Sequence, residues 1–230
     1  MKHIFTLLFF LAIMITVHAQ TASMIERDKP GVGFSAGMQQ CDYMQGLSLN
    51  VGYKFNQKVD ISATVGRDYP YYRNGLFSSP YFVNYIGVEA SYWLLNKEVG
   101  SDALLKAGVL GGALLGDLCN ENHEVFYFKN LIEVQGFGGL GVLLNYNPGN
   151  GFFIIQPSLA IVYTAGKNYY YYAGECIDSE FVDQVMATAG LSFGFKLKNG
   201  SVLSFNVEQA MTNTLVDPHS FGLEFAYPVK

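Results

Sequence analysis

The chain has 230 residues, enough for one domain with a full-sized interior, and a formal net charge of −5. That sign argues against nucleic acid or other phosphate-rich partners held through bulk charge. Only 14% of residues are charged, against roughly 25% in a typical globular domain, while aromatics reach 15% and mean hydropathy is +0.18. Such totals fit a soluble, charge-coated domain poorly and direct attention to membrane-spanning segments.

The N-terminus reads as a secretory signal peptide over residues 1–19. Lys2 gives a short basic start, residues 4–17 are almost wholly apolar, and Val17-His18-Ala19 supplies a cleavage site before Gln20. The apolar stretch is shorter than the roughly 20 residues of a spanning helix, and there is no cysteine at the cleavage site to carry a lipid. Losing Lys2 leaves 13 basic against 19 acidic residues, a net of −6. Beyond Gln20 no run of about 18 apolar residues follows. The longest, 103–116, is broken by Lys106 and holds four glycines. An exported apolar chain without such a helix points to the other structure that satisfies its backbone in lipid, a closed β-barrel.

Residues 20–31 read as a short periplasmic segment, and the barrel is expected over 32–230. Hydrophobicity there alternates with period two. Leu47, Leu49, Val51, Tyr53 and Phe55 share one face, with Ser48, Asn50, Gly52 and Lys54 on the other. The same pattern sets Val59, Ile61, Ala63 and Val65 against Asp60, Ser62, Thr64 and Gly66. It returns over 187–197 and over 221–227. Ten strands follow, at about 32–40, 46–55, 59–67, 81–94, 103–115, 128–146, 152–164, 184–197, 202–210 and 219–228, with eight or twelve as the alternatives. Most have the roughly 9–11 residues that a tilted strand needs to cross a bilayer. The fold class is therefore all-β, a closed antiparallel up-and-down barrel.

Connections alternate in length. Asn56-Gln57-Lys58, residues 96–102, Asn147 to Gly151 and Lys198 to Ser201 carry turn chemistry. Residues 68–80, 116–127, 165–183 and 211–218 are longer, and 41–45 is a short exception. Tight periplasmic turns at one end and longer outer loops at the other give this alternation, with both termini periplasmic. A soluble β-sandwich or lipocalin-like barrel would also alternate, but its connections would not alternate in phase. Pro157 lies inside the strand at 152–164, where a missing N–H predicts a bulge.

The chain resembles the small outer-membrane, porin-like β-barrels of Gram-negative bacteria. The resemblance rests on the signal peptide ending Ala19-Gln20 and on the amphipathic aromatic final strand FGLEFAYPVK at 221–230. It is architectural and spans the mature chain. It implies an outer-membrane location, contact with outer-membrane lipid and lipopolysaccharide, and recognition of Phe225 and Tyr227 by the barrel-assembly machinery. The usual terminal aromatic is replaced here by Pro228-Val229-Lys230.

With the apolar faces toward lipid, the lumen receives Lys54, Lys106 and Lys196 opposite Asp60, Glu89, Glu133, Glu208 and Glu224, together with Asn50, Gln135, Gln156 and Asn206. Such charges are expected to pair. They either fill the barrel as a polar core or line a narrow, weakly cation-preferring channel.

Tyr169, Tyr170, Tyr171 and Tyr172 fall in the connection 165–183, and Tyr69, Tyr71 and Tyr72 lie above the third strand. With Phe126, Tyr127 and Phe128 they form an aromatic girdle near one interface or a platform for a protein or glycan. Four successive rings cannot all face lipid, so some turn toward the mouth. Cys119 and Cys176 are paired as a possible disulfide, leaving Cys41 free, although Cys41 could pair with either. His123 is near Cys119, but no metal-binding spacing is present, and neither a metal nor a cofactor is expected.

Some outer-membrane barrels are enzymes at the outer rim, including omptin proteases and lipid A-modifying enzymes. The best such constellation here is Asp217, His219 and Ser220, with Asp117 or Asp183 across the mouth. Asp-Pro-His-Ser is equally a turn before the last strand. The functional expectation is a structural, surface-binding or small-pore barrel without catalysis. An accessory subunit of a secretion or uptake complex and a rim enzyme are the alternatives.

Overall fold

The computed structural model describes residues 31–41, 44–70, 81–120, 130–212 and 219–229. The expected signal peptide and nearly all of the segment 20–31 lie outside these residues. So do Tyr71, Tyr72, His123, Phe126, Tyr127, Phe128 and Asp217.

Ten antiparallel strands close into one barrel. They are β1 (Gly31–Cys41), β2 (Met44–Lys54), β3 (Val59–Pro70), β4 (Tyr81–Val99) and β5 (Ala103–Asn120), then β6 (Asn130–Tyr146), β7 (Phe153–Tyr172), β8 (Glu175–Lys196), β9 (Val202–Thr212) and β10 (His219–Val229). Each pairs with its neighbours in sequence, and β1 pairs with β10, Val32 opposite Val229, which closes the ladder. Closure gives every strand a neighbour on both sides and leaves each with one inward and one outward face.

The period-two pattern decides which face is which. On β7, Ser158 is 8% exposed and its neighbour Leu159 is 62% exposed. The same inversion runs round the wall. Leu49, Val65, Val88, Val109, Leu140, Leu191, Leu203 and Leu223 point out, while Asn50, Thr64, Glu89, Ser192, Ser204 and Glu224 are buried inside. The outward apolar belt runs from Leu105 to Leu115 on β5 and from Phe153 to Ala165 on β7. It is about 25–30 Å tall at about 3.3 Å per residue and a strand tilt of about 40°. Past its far edge come Arg67, Asp117, Lys167 and Asp183. At the end with the tight turns, the outward positions carry Tyr53, Tyr92, Tyr146, Phe153, Phe193 and Tyr227.

The expected ten strands are all present, but the ends of several differ. β4 runs on to Val99 and β5 to Asn120. The largest difference is the connection 165–183, which is not a loop. β7 and β8 continue as a hairpin to a two-residue turn at Ala173 and Gly174, both at positive φ (52° and 86°), as such turns require. The predicted bulge at Pro157 is also corrected. Pro157 keeps its register opposite Leu191, and on the β6 side the register is the same before and after it. The ladder to β6 simply lapses opposite Leu144 and Asn145, so the missing N–H costs pairing without shifting the strand. The register shifts fall elsewhere, at Leu94 between Trp93 and Leu95, and at Ile177 opposite Tyr170/Tyr171.

The β4 backbone lies close to Gly108, where a Cβ would sit 2.8 Å from the Trp93 Cα and still nearer the Tyr92 carbonyl. Gly108→Ala is therefore expected to lower the unfolding free energy by about 1–3 kcal/mol. Gly31→Ala, with nothing within 4 Å of the added methyl, is expected to leave it unchanged. Urea titration of the refolded barrel, followed by Trp93 fluorescence, measures both.

Candidate functional site in the barrel interior and at its far rim

The lumen is built from two layers. Near the tight turns, Asp60 on β3 accepts a hydrogen bond from Trp93 Nε1 at 2.6 Å, and Lys106 Nζ stands 3.5 Å from the same Asp60 oxygen. Lys106 also lies over the Trp93 ring, 5.2 Å from its centroid. Lys54 is the register partner of Asp60 across the β2–β3 ladder. All four side chains are buried. A charge removed from water this completely stays ionised only with partners, and here one carboxylate serves a lysine and an indole N–H. Asn50 donates to Thr64 at 3.0 Å in the same wall.

Toward the far end apolar side chains join the buried polar ones, which there include Asp68, Glu133 and Asn168. Val83, Tyr85, Leu114, Leu131, Phe137, Val162 and Tyr170 form one buried cluster across β4 to β7. Two of its rings lie over glycines of the neighbouring strand, Tyr85 over Gly66 and Phe137 over Gly112, where a Cβ would collide with the ring. Gln135 donates to Glu133 beside this cluster. Between the layers, Glu89, Ser91, Trp93, Ser158 and Thr188 help to line a cavity of about 30 Å³. That space suits a water molecule or two and no solute.

Of the lumen residues expected from sequence, Lys54, Asp60, Glu89, Lys106, Glu133, Glu208 and Glu224 are buried inside the barrel, as are Asn50, Gln135, Gln156 and Asn206. Lys196, at the end of β8, is only partly covered. Lys106 and Asp60 are brought together, whereas Glu133 lies farther along the interior, toward the far end of β6, with Gln135. Trp93, Tyr85 and Phe137 were not singled out from sequence. Their odd-numbered positions on β4 and β6, in phase with Glu89 and Glu133, are the signal that places them inside.

The four tyrosines stand in the hairpin rather than in a loop. Tyr170 is buried in the apolar cluster and donates to Glu180 at 3.3 Å, while Tyr172 is exposed. Tyr169 and Tyr171 are partly covered, and Tyr169 carries Lys167 over its ring at 5.1 Å. Tyr69 is partly covered at the end of β3. Outward rings thus gather at the tight-turn end, and one of the four tyrosines packs inside the barrel toward the far end.

The Cys119–Cys176 disulfide is corrected. Cys176 is an exposed free thiol, 3.4 Å from the Asp178 carbonyl. The register runs Cys119 to Asn130, Asn130 to Tyr171 and Tyr171 to Cys176. The two cysteines are therefore three strands apart, about 14 Å along the sheet and beyond disulfide reach. The side chains of Cys41 and Cys119 lie outside the described residues.

The expected rim constellation is also altered. The side chains of His219 and Ser220 lie outside the described residues, and Asp117 and Asp183 sit on the outward parity of β5 and β8, away from the mouth. Asp183 accepts from the outward Tyr163 hydroxyl at 3.1 Å. Among the described residues no group of three His, Cys, Asp or Glu could hold a metal ion, and no helix is long and apolar enough to cross a membrane.

Two outcomes follow from these contacts. Asp60→Ala leaves Lys106 buried beside an unpaired indole, so it is expected to destabilise the barrel by about 3–5 kcal/mol, and Lys106→Met in the same chain should restore part of that loss. A double-mutant cycle in urea measures the coupling. Cys176 should react with a maleimide without prior reduction, and equally in Cys119→Ala; a requirement for reductant would contradict the free thiol.

No family model matches the chain, and no curated protein matches it. Among solved structures it is similar to the translocator domain of the autotransporter NalP from Neisseria meningitidis, at 14% identity and a TM-score of 0.51, over 94% of this chain and 95% of that one. It is also similar to LpxR from Salmonella typhimurium, at 8% identity and a TM-score of 0.48, over 85% of this chain and 99% of that one. The outer membrane protease OmpT from Escherichia coli matches at 10% identity and a TM-score of 0.40, over 88% of this chain and 95% of that one. Identities this low bear on architecture alone. The ladder that closes β1 on β10, the inverted polarity of the wall and the NalP likeness agree that the fold is that of an outer-membrane β-barrel.

Proposed function

We propose that the chain is an integral outer-membrane barrel with a non-conducting interior, whose role is structural and surface-binding. The observation that carries this reading is the filled lumen. The apolar cluster from Val83 to Tyr170 lies toward the far end, the Asp60–Lys106–Trp93 network lies near the tight turns, and the space described between them holds about 30 Å³. A small barrel whose side chains fill it gives an ion no hydrated path.

The far rim supports the binding role. β8 pairs with β9 only across Met186–Lys196, so among the described residues 175–185 present an unpaired strand edge. Ile177 and Phe181 are exposed along it. The β7–β8 sheet projects beyond the apolar belt, and an extended, partly apolar edge of this kind suits addition of a partner strand. In this reading the tight turns and both termini face the periplasm and the hairpin faces outward. The outward Phe225 and Tyr227 of β10 are the rings offered to the assembly machinery.

Reconstituted in a planar bilayer, the refolded protein is expected to show no discrete conductance steps. Replacing the two rings on glycines (Y85G with F137G) should open intermittent steps if folding is retained. Steady steps from the unaltered protein would contradict the non-conducting reading.

A further inference from the structure

The open edge of β8 is bounded by chain length. β9 leaves it at Thr212, opposite Met186, and residues 213–218 join Thr212 to His219. Out and back, that length of chain extends β9 by about three residues, to the level of Asp183. Residues 175–182 lie past it. On their other side they pair with β7 as far as Glu175 opposite Tyr172, interrupted only by the shift at Ile177. Among the described residues they are therefore a formed strand with one side open. Every second residue of such a strand turns its N–H and C=O to the open side, about four pairs over this stretch.

The side chains decide what can pair there. Glu175, Asp178 and Glu180 stand opposite Tyr172, Tyr170 and Asn168, so they share the face that continues the barrel interior. Ser179 and Phe181 stand opposite Tyr169 and Lys167 on the outward face. The stretch holds no lysine or arginine. Among the described residues none of its carboxylates forms an ion pair. Their hydrogen bonds come from neutral groups: Tyr170 donates to Glu180 at 3.3 Å, and the Ser179 N–H donates to Asp178 at 2.8 Å. Lys167 is turned to the other face, over the Tyr169 ring. A second copy of this edge, paired with the first, would bring carboxylates together with no cation between them, which destabilises a ladder. A strand with basic residues at alternate positions would instead meet Asp178 and Glu180 in cross-strand pairs of opposite charge.

We propose that residues 175–182 take an added strand in which basic and apolar residues alternate. Its basic residues lie on the face of Asp178 and Glu180, and its apolar residues lie beside Phe181. The inference rests on the reading above that this edge takes a partner strand, and it adds the chemistry of that partner. Backbone pairing supplies the attachment, and the alternating side chains supply the choice.

The test uses the full refolded barrel in detergent and a capped, fluorescein-labelled peptide that alternates lysine with valine and matches the edge in length. Hydrogen–deuterium exchange should show protection of 175–182 on binding, and fluorescence anisotropy gives the affinity. Asp178→Asn with Glu180→Gln should weaken binding by about fivefold, the loss of two exposed cross-strand charge pairs. Asp178→Lys with Glu180→Lys should reject this peptide and accept one that alternates glutamate with valine. Far-UV circular dichroism checks that each variant folds. A peptide with the same lysines and valines in separate blocks should leave the edge unprotected; equal protection would reduce the binding to bulk charge and overturn the added strand. A peptide alternating threonine with valine separates the two levels of the claim. If it binds as tightly as the lysine peptide, the basic partner is overturned and the edge remains a binding edge. If no alternating peptide protects 175–182, the binding reading itself fails. Protection that rises with barrel concentration alone would make a second copy the occupant and overturn the proposal.

Discussion

Every backbone N–H and C=O that meets hydrocarbon needs a partner within the protein, and this one requirement organises the molecule. It closes β1 onto β10, because an open edge within the belt would leave a column of unpaired groups. Closure gives every strand an inside and an outside. The composition of the chain, poor in charge and rich in alternating apolar residues, then has a single consistent placement. Leu159 faces out beside the inward Ser158, and the order of a soluble core is reversed.

The interior follows from that reversal. Charges admitted to a narrow lumen are stable only where they meet one another, and Asp60 is shared by Lys106 and Trp93. The far half packs rings on glycines, Tyr85 on Gly66 and Phe137 on Gly112. The two solutions differ in chemistry, and both set side chains into the lumen. Under the proposed reading, the surface left for a partner is the projecting β7–β8 sheet, whose β8 edge is open among the described residues.

Period two made the wall legible in the sequence. It pointed to ten strands, with eight or twelve as alternatives, and placed Asp60, Lys106 and Glu133 inside. It lost its hold where both faces of a strand meet water or an interior cluster. Lys167 to Tyr172 show no alternation of polarity, so the tyrosines read as a loop although β-rich rings followed by Ala173-Gly174 mark a hairpin. The disulfide failed for a different reason. Chain order put Cys119 and Cys176 in neighbouring connections, but the ladder separates them by three strands, and only the register carries that information. Pro157 shows that a strand in a closed barrel can lose pairing on one side and keep its register through the other. The meeting of Asp60 on β3 with Lys106 on β5, across the intervening β4, is a contact that no alternation pattern contains.

The central claim is the polarity of the wall, and Trp93, the single tryptophan, reports on it. Its fluorescence should be quenched weakly by lipids brominated along their acyl chains, because its ring points into the lumen. In Tyr92→Trp combined with Trp93→Phe, which moves the indole one residue and onto the outward face, the same lipids should quench strongly. Equal quenching of the two proteins, or the reverse order, would contradict the inverted wall on which the account rests.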